Sequence, residues 1–166
     1  MTTPNLASTS TFSPDSRVWV YTSNRPLTAE ESAFAQKNLD AFCHQWTAHN
    51  QALLAKAEVF ENQLVILMVD ETRAGASGCS IDKSVHFLEQ LGAEMGADFF
   101  ERMRFAWLNE QGEMQFANRP EFAALVREER IGHETLVADT LVQTKGQLAE
   151  KWLVPYSKSW HKRLIG

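Results

Sequence analysis

Apolar and polar positions along this 166-residue chain change period several times, and each change predicts an element. Arg17-Val-Trp-Val-Tyr21 is β-branched and aromatic, which predicts a strand. Asn24-Arg-Pro-Leu27 is a turn, and Thr28-x-x-Glu31 has the spacing of a capping box that opens a helix. Ala35, Leu39, Phe42, Cys43 and Trp46 then recur at i, i+3, i+4, so they share one face. Ala52 to Phe60 and Gln63 to Asp70 read as two strands joined by a tight turn at Glu61-Asn62. The second is continuously apolar, the pattern of a strand covered on both faces. A loop from Glu71 to Ser80 leads into a helix with the stripe Ile81, Ser84, Val85, Leu88, Leu91 and Met95. Met103 to Leu108 predicts a further strand, and Gly112 a turn before Glu113 to Ala117.

Strand, helix, strand, strand, helix, strand is the order of a ferredoxin-like sandwich. The expected class is therefore α+β, with a ferredoxin-like (βαββαβ) body over residues 17–109. A small C-terminal β/α unit follows over 110–166. In it Asn118-x-x-Glu121 caps a helix stopped near Gly132, and Thr135 to Val142 holds a short strand. Thr144-x-x-Gln147 opens a last helix, ended by Pro155. In the ferredoxin-like pairing the first and third strands run parallel, so both helices start at one end of the sheet. That would put Arg25 beside Lys83 and His49 at the far end.

Residues 1–16 hold no Lys or Arg and are rich in Thr, Ser, Pro and Asn, so they read as a disordered leader and not a secretory signal. The longest apolar run, Leu64 to Val69, is six residues, far short of a membrane span. Two cysteines do not make a disulfide framework, and a cytoplasmic protein is expected.

The net charge of −5 hides an asymmetry. Residues 1–143 carry 11 basic and 20 acidic side chains, net −9, whereas residues 144–166 carry five basic and one acidic, net +4. The tail also holds Trp152, Tyr156 and Trp160, and basic residues among aromatics can grip a single nucleic-acid strand. An acidic body would repel phosphates, so a tail packed on the body is expected and no nucleic-acid partner.

The most distinctive stretch is Gly75-Ala-Ser-Gly-Cys-Ser-Ile-Asp-Lys-Ser84, between a strand and a helix. Small residues there let N–H groups converge at a helix start, which suits a phosphate or carboxylate. A Walker-type ATPase is excluded: Asp82 and Ser77 stand where a phosphate loop needs glycine. The candidate anion ligands are Arg25, Gly75, Ser77, Gly78, Cys79, Ser80 and Lys83. Cys79 is also the one candidate nucleophile, because a thiol in a first helical turn near a lysine can be activated. The plain alternative makes Cys79 a packing residue and Ser80 an N-cap. Cys43 belongs to the core. His44, His49, His86, His133 and His161 show no metal-ligand spacing, so neither metal nor cofactor is expected. The neighbouring carboxylates Asp70-Glu71 and Glu128-Glu129 read as solvated edges.

Arg17-Val-Trp-Val-Tyr21, Gln45-Trp-Thr-Ala-His49, Ser77-Gly-Cys-Ser-Ile-Asp82, Ser84-Val85-x-Phe87, Leu141-Val142, Trp152-x-x-Pro155 and Ser159-Trp-His-x-Arg163 resemble a family of small uncharacterised bacterial proteins. These are known mainly from Bacteroidetes-type genomes and are often labelled "ABC transporter ATPase". The resemblance covers residues 17–164, with Asn50 where the family has glycine, and implies no catalytic residue. Residues 104–155 also resemble GYF-like modules, through Gly112, Pro120-Glu-Phe122, Leu125, Ile131-Gly132, Thr135-Leu-Val137 and Trp152. That similarity implies a peptide-binding aromatic surface that includes Trp107 or Trp152, and Trp160 and His161 of the tail are further interaction candidates. The expectation is a non-enzymatic binding protein holding a small anionic ligand at 75–83 and contacting a protein or peptide through its C-terminal unit. The alternatives are a thiol-dependent enzyme using Cys79 and a GYF-like peptide reader.

Overall fold

A computed structural model describes residues 2–9 and 11–165 as a mixed α+β fold in four layers. The first sheet has the order β1 (Arg17–Thr22), β5 (Leu64–Asp70), β4 (Leu54–Phe60). The second has the order β7 (Met114–Asn118), β6 (Arg104–Leu108), β8 (Leu136–Ala138), β9 (Leu153–Pro155). Every seven residues of β5 are buried, because both of its faces are covered. Val65, Leu67 and Val69 pack under α2 (Ala29–Gln45) and α3 (Gly78–Met95), together with Leu39, Cys43, Leu88 and Leu91. Leu64, Ile66 and Met68 point the other way, onto Ala106, Ala138 and Trp152 of the second sheet region. The second sheet's outer face, through Phe105, Trp107 and Val137, packs on Phe122 of α4 (Arg119–Arg127), on Tyr156, and on α6 (His161–Ile165).

The local signals for α2 hold. Thr28 accepts from Glu31 N–H and Glu31 returns a carboxylate to Thr28 N–H, closing the capping box. Asn118 and Glu121 do the same for α4. Glu61 and Asn62 have φ of +54° and +56°, the left-handed pair that a tight hairpin turn requires.

Strand pairing departs from the ferredoxin-like expectation. β1 runs antiparallel to β5, in the register Arg17↔Val69 to Thr22↔Leu64, and β6 joins the second sheet instead of flanking β1. The same order of elements is compatible with either pairing, so element order could not choose between them. The antiparallel choice places the starts of α2 and α3 at opposite ends of the first sheet. It also moves β6 out of the body assigned to residues 17–109 and into one sheet with the C-terminal strands.

Of the stretch 1–16 expected to be a disordered leader, Met1 and Ser10 lie outside the described residues and the others are folded onto the protein. Residues Leu6–Thr9 form a short helix, α1, and Leu6 and Ala7 are buried in the core between the sheets. Glu58 accepts the N–H groups of Asn5 and Leu6, at 3.0 and 2.9 Å, and Asp70 accepts that of Ser13 at 3.0 Å. These anchors lie in distant strands, so the polar composition of 1–16 gives no sign of them. Sequence reasoning also passed over the β2–β3 hairpin (Thr47–Ala48, Gln51–Ala52) and β9. Pro155 ends no helix: α5 (Lys145–Glu150) has already stopped, and the proline closes an edge strand, where its missing N–H costs no ladder bond.

Candidate functional site

The loop before α3 satisfies its own polar groups. Ser77, and not Ser80, is the N-cap: its Oγ accepts from Ser80 N–H at 3.2 Å, and Ser80 Oγ accepts from Ser77 N–H at 2.7 Å. Glu71 Oε2 accepts from Ala76 N–H at 2.9 Å, and a Cβ added at Gly75 would stand 3.1 Å from that oxygen. The concavity suited to an anion is thus filled by the protein's own carboxylate. Asp70 is not a solvated edge either. N–H bonds from Ser13 and Thr72 hold its carboxyl below the usual range.

Arg25 lies at the other end of α3. Its Nη2 donates to Met95 O at 2.7 Å and its Nε to Gly96 O at 3.2 Å, so it caps the helix C-terminus. The same guanidinium makes a fork with Glu31, at 2.9 and 2.7 Å, and hydrogen bonding to Arg25 brings Glu31 down to about 2. Lys83, in α3's second turn, is twelve residues of helix from Met95, roughly 18 Å. The expected Arg25–Lys83 edge does not form.

Cys79 and Gly78 are exposed in the first turn, while Ser80 is buried and its carbonyl accepts Trp46 Nε1–H at 2.8 Å. This bond ties the end of α2, and with it the β2–β3 hairpin that carries His49, to the start of α3. His49 therefore lies at the Cys79 end, contrary to the parallel-strand expectation. Among the described residues no hydrogen bond joins Cys79 to a base. Cys43 is buried, and desolvation pushes its thiol up to about 12. Among the described residues, no group of His, Cys, Asp and Glu is placed to hold a metal ion.

The aromatic candidates are absorbed into packing. Trp107 and Trp152 are 6% and 1% exposed, so they present no peptide-reading surface. His161 is buried between Trp160, stacked at 3.8 Å, and Phe122 at 5.9 Å, with Phe105 edge-on. Its Nδ1 faces Ser159 Oγ at 2.5 Å, and burial lowers its pKa to about 4. The Ser-Trp-His phrase is a structural plug for the second sheet. Trp152 and Tyr156 of the basic tail are in the core, as a packed tail requires.

One unfilled space lies away from the loop before α3. A cavity of about 420 Å³ opens where β1 meets the 99–104 segment and the loop after β8. One wall is Val20 to Thr22, another Phe99 to Arg104, and the third Thr140, Leu141, Trp160 and Leu164. Asp139 shapes that third wall by accepting both Leu141 N–H and Trp160 Nε1–H through Oδ1. Leu141 is 64% exposed and Met103 43%, unusual for such large apolar side chains. Arg104 reaches Gln63 Oε1 with Nη2 and lies 5.7 Å from the Phe116 ring centre, yet its buried Nε has no partner. Desolvation lowers its pKa, against the opposing pull of the Glu121 and Glu101 carboxylates. Arg102 lines the same space. None of these residues forms a motif. The sole sequence signal is Arg102-Met-Arg104 in a net acidic chain, which becomes meaningful only once Leu141 and Val20 are brought opposite.

No family model matches the chain, no curated protein is similar to it, and no solved structure matches its fold. No helix among the described residues is long and apolar enough to cross a membrane.

Proposed function

We propose that this is a non-enzymatic binding protein whose ligand site is the cavity between β1, the 99–104 segment and Leu141. The ligand is a small amphipathic carboxylate. One observation carries this: Arg104, a cation whose buried Nε has no partner, lines a space whose other walls are mostly apolar. An unpaired charge-bearing donor is costly, and a carboxylate is its natural complement. The anion site expected at Gly75–Lys83 moves to this cavity, because Glu71 already takes up the loop and Arg25 is engaged elsewhere. A thiol enzyme has less support, since Cys79 has no base beside it among the described residues.

Kinship with the small bacterial family, and the similarity of 104–155 to GYF-like modules, belong to this proposal. They are supported by the phrases themselves, which fall on β1, the first turn of α3 and the folded tail. A protein contact through the C-terminal unit is kept, but not through Trp107 or Trp152. A cytoplasmic location accords with two free cysteines.

Calorimetric titration with 3-phenylpropionate and with its neutral amide tests the cavity. The acid is expected to bind and the amide at least about tenfold more weakly, a difference of about 1.4 kcal/mol. Arg104→Lys, which keeps charge but loses the planar fork, is expected to shrink that ratio. Equal binding of acid and amide, or binding of neither, overturns the assignment.

A further inference from the structure

The cavity has a second chemical face besides Arg104, namely the edge of a sheet. In the β1–β5 register Ser23 N–H continues the ladder to Gln63 O at 2.7 Å, so odd-numbered residues of β1 bond β5. Even-numbered residues turn their N–H and C=O groups toward the opposite edge. That edge is closed at both ends. Val18 N–H donates to Gln143 O at 2.9 Å, and Thr22 O accepts Glu101 N–H at 3.1 Å. Between them the Val20 N–H, the Val20 carbonyl and the Val18 carbonyl have no partner among the described residues. Val20 forms part of the cavity wall.

The unpaired Val20 N–H and carbonyl, on the cavity wall, are what one short extended segment would pair with. Closure at both ends leaves no room for a long strand, so a second copy of this chain cannot add its own edge here. The space admits the end of a chain. Arg104 lies toward the Thr22 end, because it bonds the side chain of Gln63, whose carbonyl takes Ser23 N–H. Positive charge at that end selects a carboxylate terminus over an amine. Glu101, the acidic residue in the wall, accepts Met103 N–H at 2.9 Å, and its single charge stands against two cations, Arg102 and Arg104, in the same wall. Leu141 and Met103 offer apolar contact to the segment's side chains.

We infer that the cavity binds the C-terminal three or four residues of an apolar peptide, which lies parallel to β1, pairs with Val20, and sets its terminal carboxylate on Arg104. This rests on the cavity being the ligand site and adds the class of ligand.

The test uses the full chain, ¹⁵N-labelled, with acetylated tetrapeptides of Ala, Val and Leu as free acids and as C-terminal amides. The acids are expected to shift the Val20 amide resonance and slow its solvent exchange, with binding at least tenfold tighter than the amides. Val20→Pro removes an N–H that faces away from β5, so the ladder survives. It is expected to abolish peptide binding. A dispersed spectrum certifies its fold, and Arg104→Lys gives an independent variant, expected to weaken the acids alone. Acids and amides that bind alike overturn the inference, as do shifts at Leu141 and Trp160 without protection of Val20. Silence from every peptide while 3-phenylpropionate binds removes the peptide and leaves the cavity. Silence from both removes both.

Discussion

The two ends of α3 differ in a way that separates a conspicuous sequence from an available site. At its start, Gly75 to Lys83 has the glycines, serines, cysteine and lysine that suggest ligand chemistry. There, however, Ser77, Ser80 and Glu71 satisfy the loop from within. At its end, Met95 to Arg104 has no motif, yet it opens onto a cavity lined by Arg104, whose buried Nε is unpaired, and by the strand edge at Val20. Small polar residues at a helix start serve capping as readily as they serve ligands. The distinction therefore rests on which hydrogen bonds are already made.

The largest effect that can break this contrast is steric. Gly92 lies where the chain folds back after α3, and an added Cβ would come 2.4 Å from Ala97 O, while nothing lies within 4 Å of one at Gly78. Gly92→Val is expected to cost roughly 3–4 kcal/mol in urea unfolding and to disorder the cavity wall. Gly78→Ala at the other end is expected to be neutral or stabilising by about 0.5 kcal/mol. Comparable losses at both glycines would mean that the loop is as tightly built as the cavity wall.

Next in size is a pH effect at His161, which backs Trp160 in the third wall. The folded pKa is lowered to about 4 against 6.5 unfolded, so between these values the unfolded chain binds more protons. Stability is complete above pH 6.5, falls as pH drops toward 4, and loses at most about 3 kcal/mol. Urea midpoints across pH 4 to 7.5 measure it. His161→Phe is expected to flatten that window, and an unchanged slope would show that another group is responsible.

Local order was readable along the chain because its causes are local. Thr28 with Glu31, Asn118 with Glu121, and the Glu61-Asn62 turn each act within four residues. The seven-residue buried strand β5 announced its two covered faces by composition alone. Pairing was not readable, since one order of elements fits β1 beside β5 in either direction. Arg25, placed beside Lys83 by the parallel alternative, therefore turned out to serve the opposite end of α3. The folded leader was hidden for a related reason: its partners Glu58 and Asp70 are more than fifty residues away. The cavity assembles Val20, Arg104 and Leu141 from three distant segments, and only the folded chain brings them together.

Caps at the two ends of α3 sharpen the comparison at smaller cost. Ser77→Ala is expected to lose about 1 kcal/mol and to leave binding of 3-phenylpropionate unchanged. Arg25→Ala lowers the urea midpoint and also alters acid behaviour. Glu31, held at about 2 mainly by its bond to Arg25, stabilises the fold above its unfolded pKa of 4.5, a contribution lost as pH falls from 4.5 toward 2. Without Arg25 that portion of the acid-induced loss is expected to shrink. Weakened cavity binding in Ser77→Ala would contradict the independence of the two ends.

The smallest effect is the most pointed, because it concerns the one exposed thiol. Cys79→Ala removes a side chain with no bonded partner among the described residues, so stability is expected to stay within about 0.5 kcal/mol. Ligand binding is expected to be unchanged. Iodoacetamide at pH 8 should modify Cys79 alone in the folded protein. Cys43, buried and with its thiol raised to about 12, should react only when urea opens the core between α2 and the first sheet. Mass spectrometry of the alkylated peptides distinguishes the two sites. If Cys79→Ala instead abolished cavity binding, the start of α3 would be coupled to its far end, and the loop could no longer be treated as a satisfied cap.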